Sequence, residues 1–254
     1  MCRVVILLLL AAAGCARRST QAVEYKDAIP PPAEPLVRQV PAVGRYGGRF
    51  VLGQTVGPKS FNGIIATETS STDMTNLMFT SLVDYDNGKQ EFGPLLAKSW
   101  DVSPDGMMWT FHLRQGAKFS DGHPLTSEDV LFSFQVVMDP TLHPPIQDQM
   151  FMNGKPLEVS APDPYTFVIK TPAPNSGILD AFCTGSFVIM PKHVLEPAFK
   201  DGSFASAYNV STPVDKIVTS GPWRVAQYLL WSWRQELVGR HAWQQGLVPR
   251  GPSA

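Results

Sequence analysis

Residues 106–138 read GMMWTFHLRQGAKFSDGHPLTSEDVLFSFQVVM, and two different periodicities meet in this one stretch. From Met107 to Leu113 the alternation has a period of two. Trp109, Phe111 and Leu113 fall on one face, and Met108, Thr110, His112 and Arg114 on the other, the pattern of a half-buried strand. Gly106 and Gly116 supply the turns at its ends, and Asp121 with Gly122 marks another turn. From Ser127 the spacing changes. Val130, Leu131, Phe134, Val137 and Met138 recur every three or four residues, which predicts an amphipathic helix. Thr126 stands where an N-cap belongs, Asp129 three residues on completes a capping-box pair, and Asp139 with Pro140 ends the helix.

Working outward, DPYTFVIKTPAP predicts a second strand with Tyr165, Phe167 and Ile169 on one face. Upstream, ATETSSTDMTNLMFTSLVDYD opens with small polar residues and then places Met74, Leu77, Met78, Ser81 and Leu82 at helical spacing. Arg49 to Leu52 read as an opening strand leading into the turn-rich GPKSFN. Strands and helices follow one another without strict βαβ alternation and without repeats, so the expected architecture is mixed α/β.

The 254 residues are 44% hydrophobic, enough to bury a core. Their 21 basic and 22 acidic residues nearly cancel, so no net field draws the chain to nucleic acid, and no nucleic-acid partner is expected. Of the three cysteines, Cys2 and Cys15 lie in the first segment and only Cys183 in the body, which leaves no disulfide framework there. Within FCTGSFVIM, Cys183 reads as a small core residue.

The first segment has Arg3 and then an apolar run from Val4 to Ala13, too short to span a bilayer and shaped like a secretory signal. The run ends in Ala12, Ala13, Gly14 and Cys15, which resembles a bacterial lipobox. The resemblance makes residues 1–14 a signal peptide and Cys15 the lipid-carrying residue, although Ala12 stands where leucine is usual. Ala16 is not the aspartate associated with inner-membrane retention, so either membrane could hold the anchor. Residues 15–45 include Pro30, Pro31, Pro32, Pro35 and Pro41, which withhold backbone donors and predict a semi-extended tether.

Catalytic grammar is sparse. HExxH, GxSxG, GxxxxGK and CxxC are all absent, so neither a metal site nor a cofactor is expected. Asp121 and His123 flank a Gly-Pro turn of ordinary kind, and Glu128 with Asp129 suits the positive end of a helix dipole. The enzymatic alternative is a lipoprotein hydrolase using Cys183 with His193, and it requires an exposed thiol beside a base.

Four linked segments resemble the family 5 extracellular solute-binding proteins, the dipeptide, oligopeptide and nickel receptors of ABC importers. They are GGRFVLGQTVGPKSFN, FTSLVDYDNGKQEFGPLLAKSWDVSPDGMMWTFHLRQGAKFSDGHPLTSEDVLFSF, FVIMPKHVLE with Pro191, Lys192 and His193, and VTSGPWRVAQY. The resemblance covers about Gly47 to Tyr228. It implies a periplasmic binding protein-like fold (type II, cluster C) with two lobes, of which this chain carries mainly the N-terminal part and lacks the second large lobe. It also implies a receptor and not an enzyme, extracytoplasmic and lipid-anchored, monomeric, and working with ABC importer permease subunits. The implied ligand is a peptide or peptide-like solute, with nickel or sugar as alternatives.

The expected solute contacts are Ser60, Phe61, Asn62, Thr69 and Ser70, with Trp223 assigned to the core. Residues 46–228 form the solute-binding part on this reading. Residues 229–254, LLWSWRQELVGRHAWQQGLVPRGPSA, form a divergent tail that suggests a truncated or frameshifted product or a cloned boundary, since LVPRG resembles a protease-cleavage linker. A folded but inactive fragment is the remaining alternative.

Overall fold

The computed structural model describes residue 54, residues 56–228, and the backbone of 235–239. The signal segment, the tether, the opening strand at 49–52 and most of the tail lie outside these residues.

The stretch that opened the sequence reading forms the centre of the molecule. Strand β4 (Met108–Leu113) pairs antiparallel with β3 (Ala97–Val102) on one side and β8 (Thr166–Lys170) on the other, and β7 (Glu158–Asp163) closes the sheet in the order β3-β4-β8-β7. Register places Phe111 opposite both Trp100 and Phe167, and Trp109 opposite Ile169, so the apolar residues of three strands share one face. Phe111, Phe167 and Ile169 are completely enclosed. Thr110 and His112 point to the other face, where the His112 imidazole reaches Asp101 at 2.8 Å across the β3–β4 pair. Arg114 departs from the expected outward position. The sheet ends at Leu113, and Arg114 turns inward and donates from its Nε to Leu95 O at 2.7 Å.

Two helices stack in order on the sheet. Helix α2 (Ser127–Val137) packs on β7 and β8, and α4 (Lys192–Lys200) packs on α2. Buried residues run nearly all round α2, including Phe132, Ser133 and Val136 beside the expected Val130, Phe134 and Val137. The wide buried surface follows from α2 lying between sheet and helix, whereas the sequence periodicity marked a single stripe. Leu131 and Met138 end up only partly covered. Pro197, the sixth of the 9 residues of α4, withholds one N–H from the helix ladder.

The remaining elements are short. Helix α1 (Thr69–Met78) precedes a ribbon of β1 (Val83–Asp86) and β2 (Glu91–Pro94). A hairpin of β5 (Phe151–Met152) and β6 (Lys155–Pro156) comes between α2 and β7 in the chain, and α3 (Ile178–Ala181) follows β8. Strand β9 (Trp223–Tyr228) pairs with β10 (Gln235–Gly239). The β10 strand lies past the expected boundary at 229.

Helix α1 also stops earlier than its periodicity suggests. Met74 and Met78 are buried, but Leu77 is exposed, and Ser81 and Leu82 lie beyond the helix. Distant segments claim the backbone groups that would continue it. Met78 O accepts from Gly221 N at 2.6 Å, Thr80 N donates to Ser220 Oγ at 3.0 Å, and Thr80 O accepts from Ile189 N at 2.9 Å. Ser220 Oγ in turn donates to Ile189 O at 2.6 Å. Phe79 consequently takes an extended conformation. Three segments far apart in sequence are joined at this seam, and β9 emerges directly from it.

Among the described residues no helix is long and apolar enough to cross a membrane.

Candidate functional site: the loop at the start of helix α1

Residues 57–71 loop back on themselves. Ser71 Oγ accepts from the backbone N–H of Lys59 at 2.9 Å and of Ser60 at 3.1 Å, while Ser70 Oγ donates to Gly57 O at 3.3 Å. Glu68, the residue before α1, accepts from Lys59 N at 3.1 Å and from the Ser71 hydroxyl. Burial pushes the Glu68 carboxyl upward, but these donors outweigh it and hold the group below its usual value. The first turn of α1 is Thr-Ser-Ser-Thr without an acidic residue, and the Glu68 carboxylate just before it supplies the negative charge at the positive end of the helix.

Of the five residues expected to meet a solute, the structure divides two from three. Phe61 and Asn62 are fully enclosed. Phe61 N donates to Tyr208 O at 2.8 Å, and its ring stands edge-on to Tyr228 with centroids 5.4 Å apart. The Asn62 amide donates to Phe204 O at 3.0 Å and Ala207 O at 3.3 Å, and its oxygen accepts from Ile64 N at 3.2 Å. These bonds occupy the side chain, so Phe61 and Asn62 fasten the loop from beneath and present nothing outward. Ser60 and Ser70 are half-buried and Thr69 is exposed. Sequence patterning could not separate the two groups, because the enclosing residues come from 204–209 and 228.

The end of β9 borders the loop. Tyr228 donates its hydroxyl to Pro58 O at 3.4 Å, and Ser60 bridges to Asn209. Residues 57–62 are thus held between the start of α1, the 204–209 segment and the point where the chain leaves β9. Trp223, at the other end of that strand, is half-buried and not enclosed in the core as expected. Gly221 precedes it where a β-carbon would lie within 2.6 Å of Phe79 N and closer still to the Met78 carbonyl group, so only glycine permits the crossing.

A second polar cluster joins two stretches that lie 72 residues apart in the chain at Asp121 and His193. His123 N donates to Asp121 Oδ1 at 3.0 Å, the expected local turn. The same carboxylate, through Oδ2, meets His193 Nε2 at 2.7 Å, and the His123 and His193 rings stack with centroids 3.9 Å apart. Burial pushes Asp121 upward, but hydrogen bonds from His193 and His123 bring it below the usual carboxylate range. Beside it Lys192 Nζ reaches Glu128 at 2.8 Å. Among the described residues no group of three or more His, Cys, Asp or Glu is arranged to hold a metal.

These contacts also remove the geometric basis of the hydrolase alternative. Cys183 is buried against β1, and burial first, with the Asp84 and Asp180 charges, pushes its thiol above the usual value. His193 is engaged with Asp121 instead of a thiol.

A mixed sheet-and-helix body thus carries a loop of hydroxyl-bearing residues at a helix start, with the end of β9 beside that loop. The model of the bacterial extracellular solute-binding proteins, family 5 Middle, matches residues 91–238, and the chain belongs to this family. That match runs past Tyr228, in agreement with the β9–β10 pairing. The periplasmic oligopeptide-binding protein of Haemophilus influenzae is 30% identical over 162 residues, covering 58% of this chain and 30% of that protein. The crystal structure of the Haemophilus influenzae protein in complex with RPPGFSPFR superposes with a TM-score of 0.57 at 26% identity, covering 68% of this chain and 34% of that one. A periplasmic oligopeptide-binding protein from Borrelia burgdorferi gives a TM-score of 0.62 at 24% identity, covering 75% and 39%, and shows the shared fold. The chain spans about a third of the length of the curated relatives it matches.

Proposed function

We propose that this chain supplies the N-terminal part of an extracytoplasmic receptor that captures peptide-like solutes for an ABC importer. The observation that carries the reading is the position of Thr69 and Ser70 at the start of α1, on the loop whose Pro58 carbonyl accepts from Tyr228 at the end of β9. Ser60, Thr69 and Ser70 are the contacts, and Phe61 and Asn62 position them. A surface of hydroxyls and backbone groups suits a ligand recognised through its main chain, which tolerates varied side chains. The naming of relatives as oligopeptide-binding proteins and the peptide-bound Haemophilus structure support the ligand class.

Attachment follows the same reading: residues 1–14 direct export, Cys15 carries lipid, and the proline-rich tether holds a monomeric receptor near its permease. These residues lie outside the described part of the chain. A Cys15→Ser variant that still partitions with membranes and still takes up labelled fatty acid would overturn the anchor.

The binding test is thermal unfolding of the soluble body, begun after Cys15, with and without a mixture of short peptides. A ligand that binds only the folded state stabilises it by about 2.7 kcal/mol at a hundredfold excess over Kd. A midpoint that rises with peptide concentration supports the proposal, and Thr69→Ala with Ser70→Ala should then reduce the rise. A cooperative transition unmoved by any peptide overturns the peptide assignment for this chain.

A further inference from the structure

The sequence contains Asn-Gly three times, at Asn62–Gly63, Asn87–Gly88 and Asn153–Gly154. This dipeptide is chemically labile, because the unhindered glycine nitrogen can attack the neighbouring side-chain amide. We propose that Asn153 is the deamidation site of this chain, and that the fold holds the same chemistry in check at Asn87 and Asn62.

The reaction is balanced as follows. The Gly154 nitrogen loses its proton to water or base and bonds to Asn153 Cγ. The Cγ–Nδ2 bond breaks, ammonia leaves, and a five-membered succinimide remains. One water then opens either carbonyl, giving aspartate or isoaspartate. The only co-reactant is water, and the net change is an amide replaced by a carboxylate.

At 153–154 the fold opposes these steps least. Asn153 and Gly154 form the exposed two-residue turn between β5 and β6, with φ of 53° and 73°. This is a primed hairpin turn of the kind Asn-Gly favours. Open space surrounds Gly154, where no heavy atom lies within 4 Å of a β-carbon position. Ring closure requires the asparagine to leave its turn conformation. The paired strands are only two residues long, with Phe151, Lys155 and Pro156 exposed, so local opening costs little.

At 87–88 the nucleophile is guarded. Gly88 N donates to Asp86 Oδ1 at 2.9 Å, Lys89 N reaches the same oxygen at 3.2 Å, and Gln90 N donates to Asp86 O at 2.7 Å. The carboxylate opposes loss of the glycine proton, and the Gly88 N–H bond to it must break before the ring can form, while the two neighbouring bonds hold the turn in place. At 62–63 the electrophile is locked. The Asn62 amide is held by Phe204 O, Ala207 O and Ile64 N in a fully buried position, and Gly63 packs against Val188 and Phe79. The shielded dipeptide is the one that fastens the candidate binding loop, whereas the labile one lies at a hairpin tip.

The test is peptide mapping by mass spectrometry of the whole chain during incubation in mildly alkaline buffer. Asn153 should convert faster than Asn87 by about tenfold, the factor that about 1.4 kcal/mol of extra opening cost produces. Isoaspartate should appear among the products, and Asn62 should stay intact until urea unfolds the chain, when the three rates converge. Asp86→Ala should then raise the rate at Asn87 towards that at Asn153. Conversion of Asn87 or Asn62 as fast as Asn153 in native buffer overturns the assignment. An unchanged Asn87 rate in Asp86→Ala overturns the guarding by Asp86.

Discussion

The Asp129 carboxylate joins the starts of two helices: one oxygen accepts from Thr126 N at 2.9 Å, and the other accepts from Lys192 N at 3.2 Å, 63 residues further along the chain. The first bond is half of the capping box of α2, and the second satisfies an orphan N–H at the start of α4. The next turn of α2 repeats the connection, with Ser133 Oγ donating to Asp129 O at 2.8 Å and accepting from Met190 N at 2.8 Å.

Asp129→Ala should therefore cost more than the loss of one cap. A single cap is worth about 1 kcal/mol, and the half-buried N–H of Lys192 left without its acceptor adds up to a comparable penalty, so a loss of about 2 kcal/mol is expected. Urea unfolding followed by far-UV circular dichroism measures it.

The pH dependence of the same residue has a definite sign. Burial is the largest influence on Asp129 and raises its carboxyl above the ordinary value, despite hydrogen bonds from Thr126 and Lys192 that oppose the shift. The folded state therefore binds the proton more tightly than the unfolded chain. The contribution of this group to stability is fully present below the unfolded value of about 3.9 and is lost as pH rises through the folded value. Urea midpoints of the wild type measured against Asp129→Asn from about pH 3 to pH 7 should show the wild type losing ground with rising pH in that window. A gap between the two that stays constant contradicts the assignment.

Gly221→Ala places a methyl group against the Met78 carbonyl and Phe79 N, both backbone atoms that cannot rotate aside. Overpacking of this kind costs about 1–3 kcal/mol, and here the Gly221 N to Met78 O bond is strained as well, so the upper end is expected. Because the substitution displaces β9 beside the candidate loop, any peptide-dependent rise in the melting midpoint should shrink too.

Tyr208 is buried, and its hydroxyl donates to Val218 O at 3.2 Å and accepts from Val218 N at 3.0 Å. Burial pushes its ionisation far above the normal range. Tyr208→Phe removes both bonds and leaves Val218 N without its acceptor, a loss of about 1–3 kcal/mol by thermal or urea unfolding. In the wild type, alkaline absorbance titration should show this tyrosine ionising only when the chain unfolds.

Cys183 should resist alkylation in native buffer and react at the rate of an ordinary thiol in urea, because burial both covers it and disfavours the thiolate. Mass spectrometry of the Cys183 peptide separates this site from Cys2 and Cys15. Rapid native labelling would return the nucleophile reading to consideration.

Legibility in the sequence followed the range of the interactions. Strand β4, strand β8 and the start of α2 were readable because alternation and capping are encoded within a few neighbours, as Trp109, Phe111 and the Thr126–Asp129 pair show. The end of α1 was not readable, since Gly221, Ser220 and Ile189 take its backbone groups from more than a hundred residues away. The candidate loop was located by resemblance, but the burial of Phe61 and Asn62 depends on Phe204, Ala207, Tyr208 and Tyr228, which no local pattern connects to them.

The sequence by itself determined the mixed α/β class, the faces of the central strands, the cap of α2 and the likeness to one receptor family. Each of these rests on local spacing or on motif order. The tertiary structure decided which members of the proposed contact set reach the surface, that His193 belongs to Asp121, that Asp129 caps two helices, and that β10 pairs with the body. Those outcomes depend on long-range hydrogen bonds and on burial, which exist only after distant segments have been brought together.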